Sequence, residues 1–167
     1  MNRFCFRYMA RCELENFLPQ MFEILYSNMS VIAPTNNTYA SDFQIWIAHI
    51  LPALQETHRE TILLYVDCEF VGYLRYSLNN STQSFLMEDI QIKSKFQGIG
   101  VFSSCLKWLV NQLPRNISSV EACVDKRNDR SRAVMEHLGL KCGGENKNGI
   151  SLYLKSEYSE FYDRLVK

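Results

Sequence analysis

The stretch from Phe85 to Trp108, FLMEDIQIKSKFQGIGVFSSCLKW, passes from strand to glycine turn to helix in one run. Phe85, Leu86, Met87, Ile90 and Ile92 carry strand character, and Gln97-Gly98-Ile99-Gly100 makes the turn. From Val101 onward, apolar residues recur at helical spacing through Cys105, Leu106, Leu109 and Val110. A tight glycine turn that feeds a helix leaves several backbone N–H groups unpaired and pointing the same way. The helix dipole adds positive potential there, so the place suits a phosphate or pyrophosphate. A lone Gly-x-Gly is weak by itself. Here it has company: the acidic pair Glu88-Asp89 precedes it in the strand, and an Asn-led helix begins at Asn128.

A chain of 167 residues is long enough to bury a real core, and it reads as one domain, 1–167. Lys plus Arg and Asp plus Glu both number 18, so the formal net charge is zero. That argues against a surface built to coat nucleic acid, which needs a basic excess. The six cysteines form no C-x-x-C pair and no Cys/His spacing of a zinc site. Several sit in apolar runs, so they read as reduced, buried thiols of a cytosolic protein. Arg3, Arg7 and Arg11 break up the first residues, which therefore lack the apolar core of a signal peptide. No apolar run reaches membrane-spanning length. The expected location is the cytoplasm.

In chain order, Arg3 to Met9 suits a first strand. A helical period follows from Glu13 to Met29, where Pro19 predicts a late start near Leu18 or a kink. A loop from Ala33 to Ala40 leads to a second helix, with Ser41 or Asp42 as its expected cap. Thr61–Val66 and Phe70–Ser77 form a hairpin around Asp67-Cys68-Glu69, and Asn79 to Thr82 turns the chain into the opening strand. After the glycine-led helix come a strand from Ser118 to Val124 and a helix from Asn128 ended by Gly139. A hairpin follows through Gly143-Gly144 and Asn148-Gly149, then a last amphipathic helix from Glu157 to Val166. The aromatics Tyr73, Tyr76 and Phe85 read as core packing before pocket lining, and Arg75 as a solvated strand residue.

With the residues laid out in this way, the chain resembles the GCN5-related N-acetyltransferases. Ile90-x-Ile92 followed by Phe96-Gln97-Gly98-x-Gly100-Val101 looks like their motif A. Asn128-x-x-Ser131 through Glu136-x-Leu138-Gly139-Leu140 looks like their motif B. The resemblance implies an α/β fold, α+β mixed. Its centre is a mixed, mostly antiparallel sheet of about six to seven strands with helices on both faces. It also implies acetyl-CoA as co-substrate and an amine acceptor; with the charge, spacing and apolar runs above, the expectation is no metal, no nucleic acid and no membrane, with a homodimer possible. By position, pantetheine would bond the main chain of Ile90, Gln91 and Ile92. The pyrophosphate would lie on Gln97, Gly98, Ile99, Gly100, Val101 and Phe102, with Ser103 next in line. Asn128 would hold the pantetheine arm, with Ser131 one turn beyond.

The family pattern Gln/Arg-x-x-Gly-x-Gly/Ala can start at Gln97, which puts Phe102 at the last small position. It can also start at Lys95, which uses Gly98 and Gly100. The spacing from Ile-x-Ile favours Gln97. For the proton taken from the amine, Glu88 is the first candidate and Asp89 the second, since neighbouring strand residues face opposite ways. The tyrosine that many members place eight positions into motif B is Met135 here, and a thioether cannot donate a proton. Ser131, Tyr153 and His137 are the alternatives for that task. His49 and His58 read as structural.

Overall fold

The structure is a computed structural model and describes residues 3–167. Seven strands form one mixed sheet: β1 (Phe4–Tyr8), β2 (Arg59–Val66), β3 (Glu69–Asn79), β4 (Ser84–Ile92), β5 (Ser119–Asp125), β6 (Lys141–Glu145) and β7 (Ser151–Glu157). Their order across the sheet is β1-β2-β3-β4-β5-β7-β6. Five helices accompany them: α1 (Leu14–Ile32), α2 (Tyr39–Leu54), α3 (Val101–Val110), α4 (Asp129–His137) and α5 (Tyr158–Val166). The expected α/β class and element order are therefore the observed ones.

The chain divides into two compact units. The first takes the described residues through Arg75 together with Asp89–Val101. Within it β1 pairs antiparallel with β2, from Phe4↔Val66 to Tyr8↔Ile62. Met21, Leu63 and Tyr73 form its solvent-free centre, with Met9, Phe17, Trp46, Tyr65 and Phe70 packed around them. Arg7 of β1 donates through both guanidinium nitrogens to Glu13 at 2.7 Å. That pairing, with the Ala10 N–H, holds the Glu13 carboxyl down at about 2.

Three local expectations change here. Helix α1 begins at Leu14 and includes Pro19, so the late start near Leu18 does not occur. The burial of Leu18, Met21, Phe22 and Ile24 along one face outweighs the single hydrogen bond that proline removes. The cap of α2 is Thr38, whose hydroxyl accepts from Ser41 N at 3.2 Å; Asp42 instead accepts from Asn37 Nδ2 at 2.9 Å. Five cysteines are exposed and only Cys105 is buried, all six being free thiols. Which way a side chain faces is set by its place on a strand or turn, and apolar neighbours in sequence do not reveal it.

Gly72 of β3 marks a close approach to β4. A Cβ there would stand 2.1 Å from Gln91 O and 2.9 Å from the Ile92 Cα. Both are backbone atoms, so no side chain can swing aside. Gly72→Ala is expected to cost about 3 kcal/mol, read as a lower melting temperature. An unchanged melt would mean that β4 shifts freely.

The second unit takes Tyr76–Glu88 and Phe102–Lys167. In it β4 runs parallel to β5 over Ser84↔Ser119 to Met87↔Ala122, the connection being the crossover that carries α3. Strand β5 pairs antiparallel with β7 along its whole length, Ser119↔Glu157 to Asp125↔Ser151. In the hairpin through Gly143-Gly144, these two glycines lie inside β6 at a register shift against β7. Glycines serve there because the ladder is irregular. The core includes Phe85, Leu106, Leu109, Leu140, Leu154 and Phe161, all under 2% exposed.

Candidate active site

Strand β4 carries the acidic pair into the glycine turn. The parallel ladder with β5 ends at Met87↔Ala122, and β4 continues through Glu88 to Ile92. Glu88 is half-buried. Asp89 is held on both oxygens: Tyr73 OH donates to Oδ2 at 2.9 Å and Gln91 Nε2 donates to Oδ1 at 2.9 Å. Arg75 Nη1 stands 4.0 Å from the same carboxylate. Burial, then the Asp89 charge, pushes the Tyr73 hydroxyl well above its ordinary range, so it stays a donor. Arg75 is only 8% exposed, which corrects the expectation of a solvated side chain. A buried guanidinium needs a counter-charge, and Asp89 supplies one. Tyr73 and Phe85 are fully buried and Tyr76 nearly so, as core packing requires.

The turn follows directly. Ser94–Phe96 form one turn of 3-10 helix, and Gln97 is extended. Gly98 and Gly100 have φ of +81° and +91°, and α3 begins at Val101. These are left-handed conformations that residues with a Cβ adopt only at a cost. Gln97 folds its side chain back, donating from Nε2 to Ile92 O at 2.8 Å. Lys95 turns the other way: its Nζ lies 3.0 Å from Glu69 Oε1, beside Lys93 Nζ at 3.1 Å. Lys95, then Lys93, holds the Glu69 carboxyl below its usual range. Of the two residues that could open the pyrophosphate pattern, Gln97 braces the turn and Lys95 is committed elsewhere.

In the second unit, Asn128 caps α4 by accepting from Ser131 N at 3.0 Å. That leaves the Nδ2 end of its carboxamide outside the cap. Phe102 and Ser103 line a cavity of about 330 Å³ with Arg130, Val134, His137 and Leu138. Phe102 thus belongs to the first turn of α3, where its ring has room. Met135 is buried at 4% exposure. Tyr153 is engaged by Glu121, and burial followed by that carboxylate pushes its hydroxyl up to about 12. His49, His58 and His137 are exposed, and His58 pairs with Glu56 at 3.0 Å. Among the described residues, no group of three His, Cys, Asp or Glu is placed to hold a metal ion. No described helix is long and apolar enough to cross a membrane.

Asn28 of α1 is the residue that sequence reasoning missed. Its Nδ2 donates to Gln91 Oε1 at 2.9 Å and to Ile92 O at 3.1 Å. The signal was present: Asn28 follows Met21 by seven residues, on the apolar stripe of α1. A carboxamide in such a place must find partners.

Comparison with known proteins identifies the family. The sequence profile of the acetyltransferase (GNAT) family matches residues 18–140. The chain belongs to that family. No curated protein matches it significantly in sequence. An acetyltransferase from Thermus thermophilus superposes with a TM-score of 0.73 at 16% identity, over 92% of this chain and 96% of its own. PaiA N-acetyltransferase from Thermoplasma acidophilum, solved in complex with coenzyme A, gives 0.68 at 11%, over 93% and 99%. RimJ from Mycobacterium smegmatis, solved with CoA-disulfide, gives 0.68 at 17%, over 98% and 88%. At these identities the likeness is one of fold.

Proposed function

We propose that this chain is an acetyl-CoA-dependent N-acetyltransferase. It moves an acetyl group onto a primary amine of a small molecule or peptide, working as a single cytoplasmic domain. The observation that carries the reading is the run from Glu88 to Val101: a strand with an acidic pair entering a turn of two positive-φ glycines at a helix start. The turn suits a diphosphate. At Gly100 nothing lies within 4 Å of where a Cβ would stand, so an anion has room against the main chain. That PaiA was solved with coenzyme A and RimJ with CoA-disulfide also supports the donor.

In this reading the main chain of Ile90, Gln91 and Ile92 bonds pantetheine, and Gln97 to Ser103 receive the pyrophosphate. Asn128 offers its Nδ2 end to the pantetheine arm, with Ser131 beside it. Acetyl-CoA brings the thioester that the amine attacks. Glu88 takes the proton from the ammonium, directly or through water. Asp89 supports the strand through Tyr73 and Gln91. The Ile92 N–H polarises the carbonyl under attack.

Calorimetric titration with acetyl-CoA, followed by thiol-release assays on a panel of amines, tests the reading. Binding with turnover of at least one amine is the expected result. No binding of acetyl-CoA would end it. The buried Met135 favours one rival, a non-catalytic acyl-CoA-binding module on the same fold. Binding without turnover of any amine, unchanged by Glu88→Gln, would select that rival.

A further inference from the structure

The geometry points to Asn28 as a positioning residue that fixes the offset between strand β4 and the glycine turn, so that one donor molecule meets both. This inference rests on the acetyl-CoA reading above. The Asn28 carboxamide is engaged at both ends. Its Nδ2 donates to Gln91 Oε1 and Ile92 O, and its Oδ1 accepts from Gln97 Nε2 at 3.3 Å. Gln97 Nε2 also donates to Ile92 O, so that one carbonyl accepts from two side-chain amides. The other end of the same peptide unit is tied as well: Lys93 N donates to Val71 O at 2.8 Å. The peptide between Ile92 and Lys93 is therefore clamped by α1, by the turn and by β3.

That peptide stands at a junction. Before it lies the main chain assigned to pantetheine. After it come one 3-10 turn and then Gly98 and Gly100. A loose junction would let the two halves of the site move independently, and each would bind its part of the donor separately. A clamped junction makes the second contact intramolecular, which raises affinity for the whole donor without adding a contact to it. The effect of Asn28 must then appear only with a ligand that spans both halves.

CoA spans both, whereas ADP offers only the diphosphate end. Dissociation constants for CoA by calorimetry, and for ADP by displacement of CoA, are compared in wild type, Asn28→Leu and Asn28→Asp. Leucine keeps the branched outline, with somewhat more bulk, and removes all three bonds. Aspartate keeps the acceptor for Gln97 but sets an oxygen against Gln91 Oε1 and Ile92 O. Melting curves verify folding, and the aspartate variant carries the test should leucine fail to fold. The expected result is a CoA constant raised about tenfold with the ADP constant unchanged. An unchanged CoA constant overturns the inference. So does equal weakening of CoA and ADP, because Asn28 would then support only the turn. A wild type that binds no CoA removes the transferase reading and this inference together. Normal CoA binding by both variants removes the inference alone.

Discussion

Glu88→Gln is expected to slow acetylation of a good amine by about 10²–10⁴-fold, with CoA affinity unchanged. The substitution keeps the size of the side chain and removes its charge and its capacity to take a proton. Its neighbour should respond differently. Asp89 accepts from Tyr73 OH and from Gln91 Nε2, one on each oxygen. An asparagine there must set an NH₂ group against one of those donors, leaving a buried polar group unsatisfied beside Arg75. Asp89→Asn should therefore lose about 1–3 kcal/mol of stability, seen in the melting temperature. The pair of measurements separates a proton acceptor from a strand support. A silent Glu88→Gln, with a slow but normally stable Asp89→Asn, would move the base to Asp89.

Gly100→Ala should separate stability from binding. The residue sits at φ +91° with open space around a notional Cβ. An alanine meets no steric barrier inside the chain, so the cost to folding is the left-handed backbone alone, about 1–2 kcal/mol. The added methyl would nevertheless occupy the surface against which a phosphate oxygen is proposed to rest. CoA affinity should fall about 100-fold, equivalent to ~2.7 kcal/mol of binding. A variant that melts earlier yet binds CoA normally would place the diphosphate somewhere other than this turn.

The backbone of this site was legible in the sequence because it depends on local rules. Glycines at 98 and 100, an apolar period from Val101, and Asn128 ahead of a polar helix each act within a few residues. The supporting groups were not legible, because they meet across long sequence separations. Asn28 reaches Gln91 and Ile92 from more than 60 positions away. Arg75 is buried with the Asp89 carboxylate 4.0 Å away on the next strand. Its own neighbours, Leu74 and Tyr76, say nothing about charge. The start of α1 was missed for a related reason. Pro19 argues locally for a start near Leu18, whereas the helix begins at Leu14 and buries Leu18 and Met21.

The buried thioether at Met135 leaves a signature in kinetics. No proton can come from it to the departing thiolate, whose conjugate acid is an ordinary thiol with a pKa of about 8.5. An enzyme with a side-chain acid in that place loses rate when the acid ionises, and its pH–rate curve is a bell. For the transferase proposed here, kcat/KM should climb as the attacking amine loses its proton and then hold level into alkaline solution.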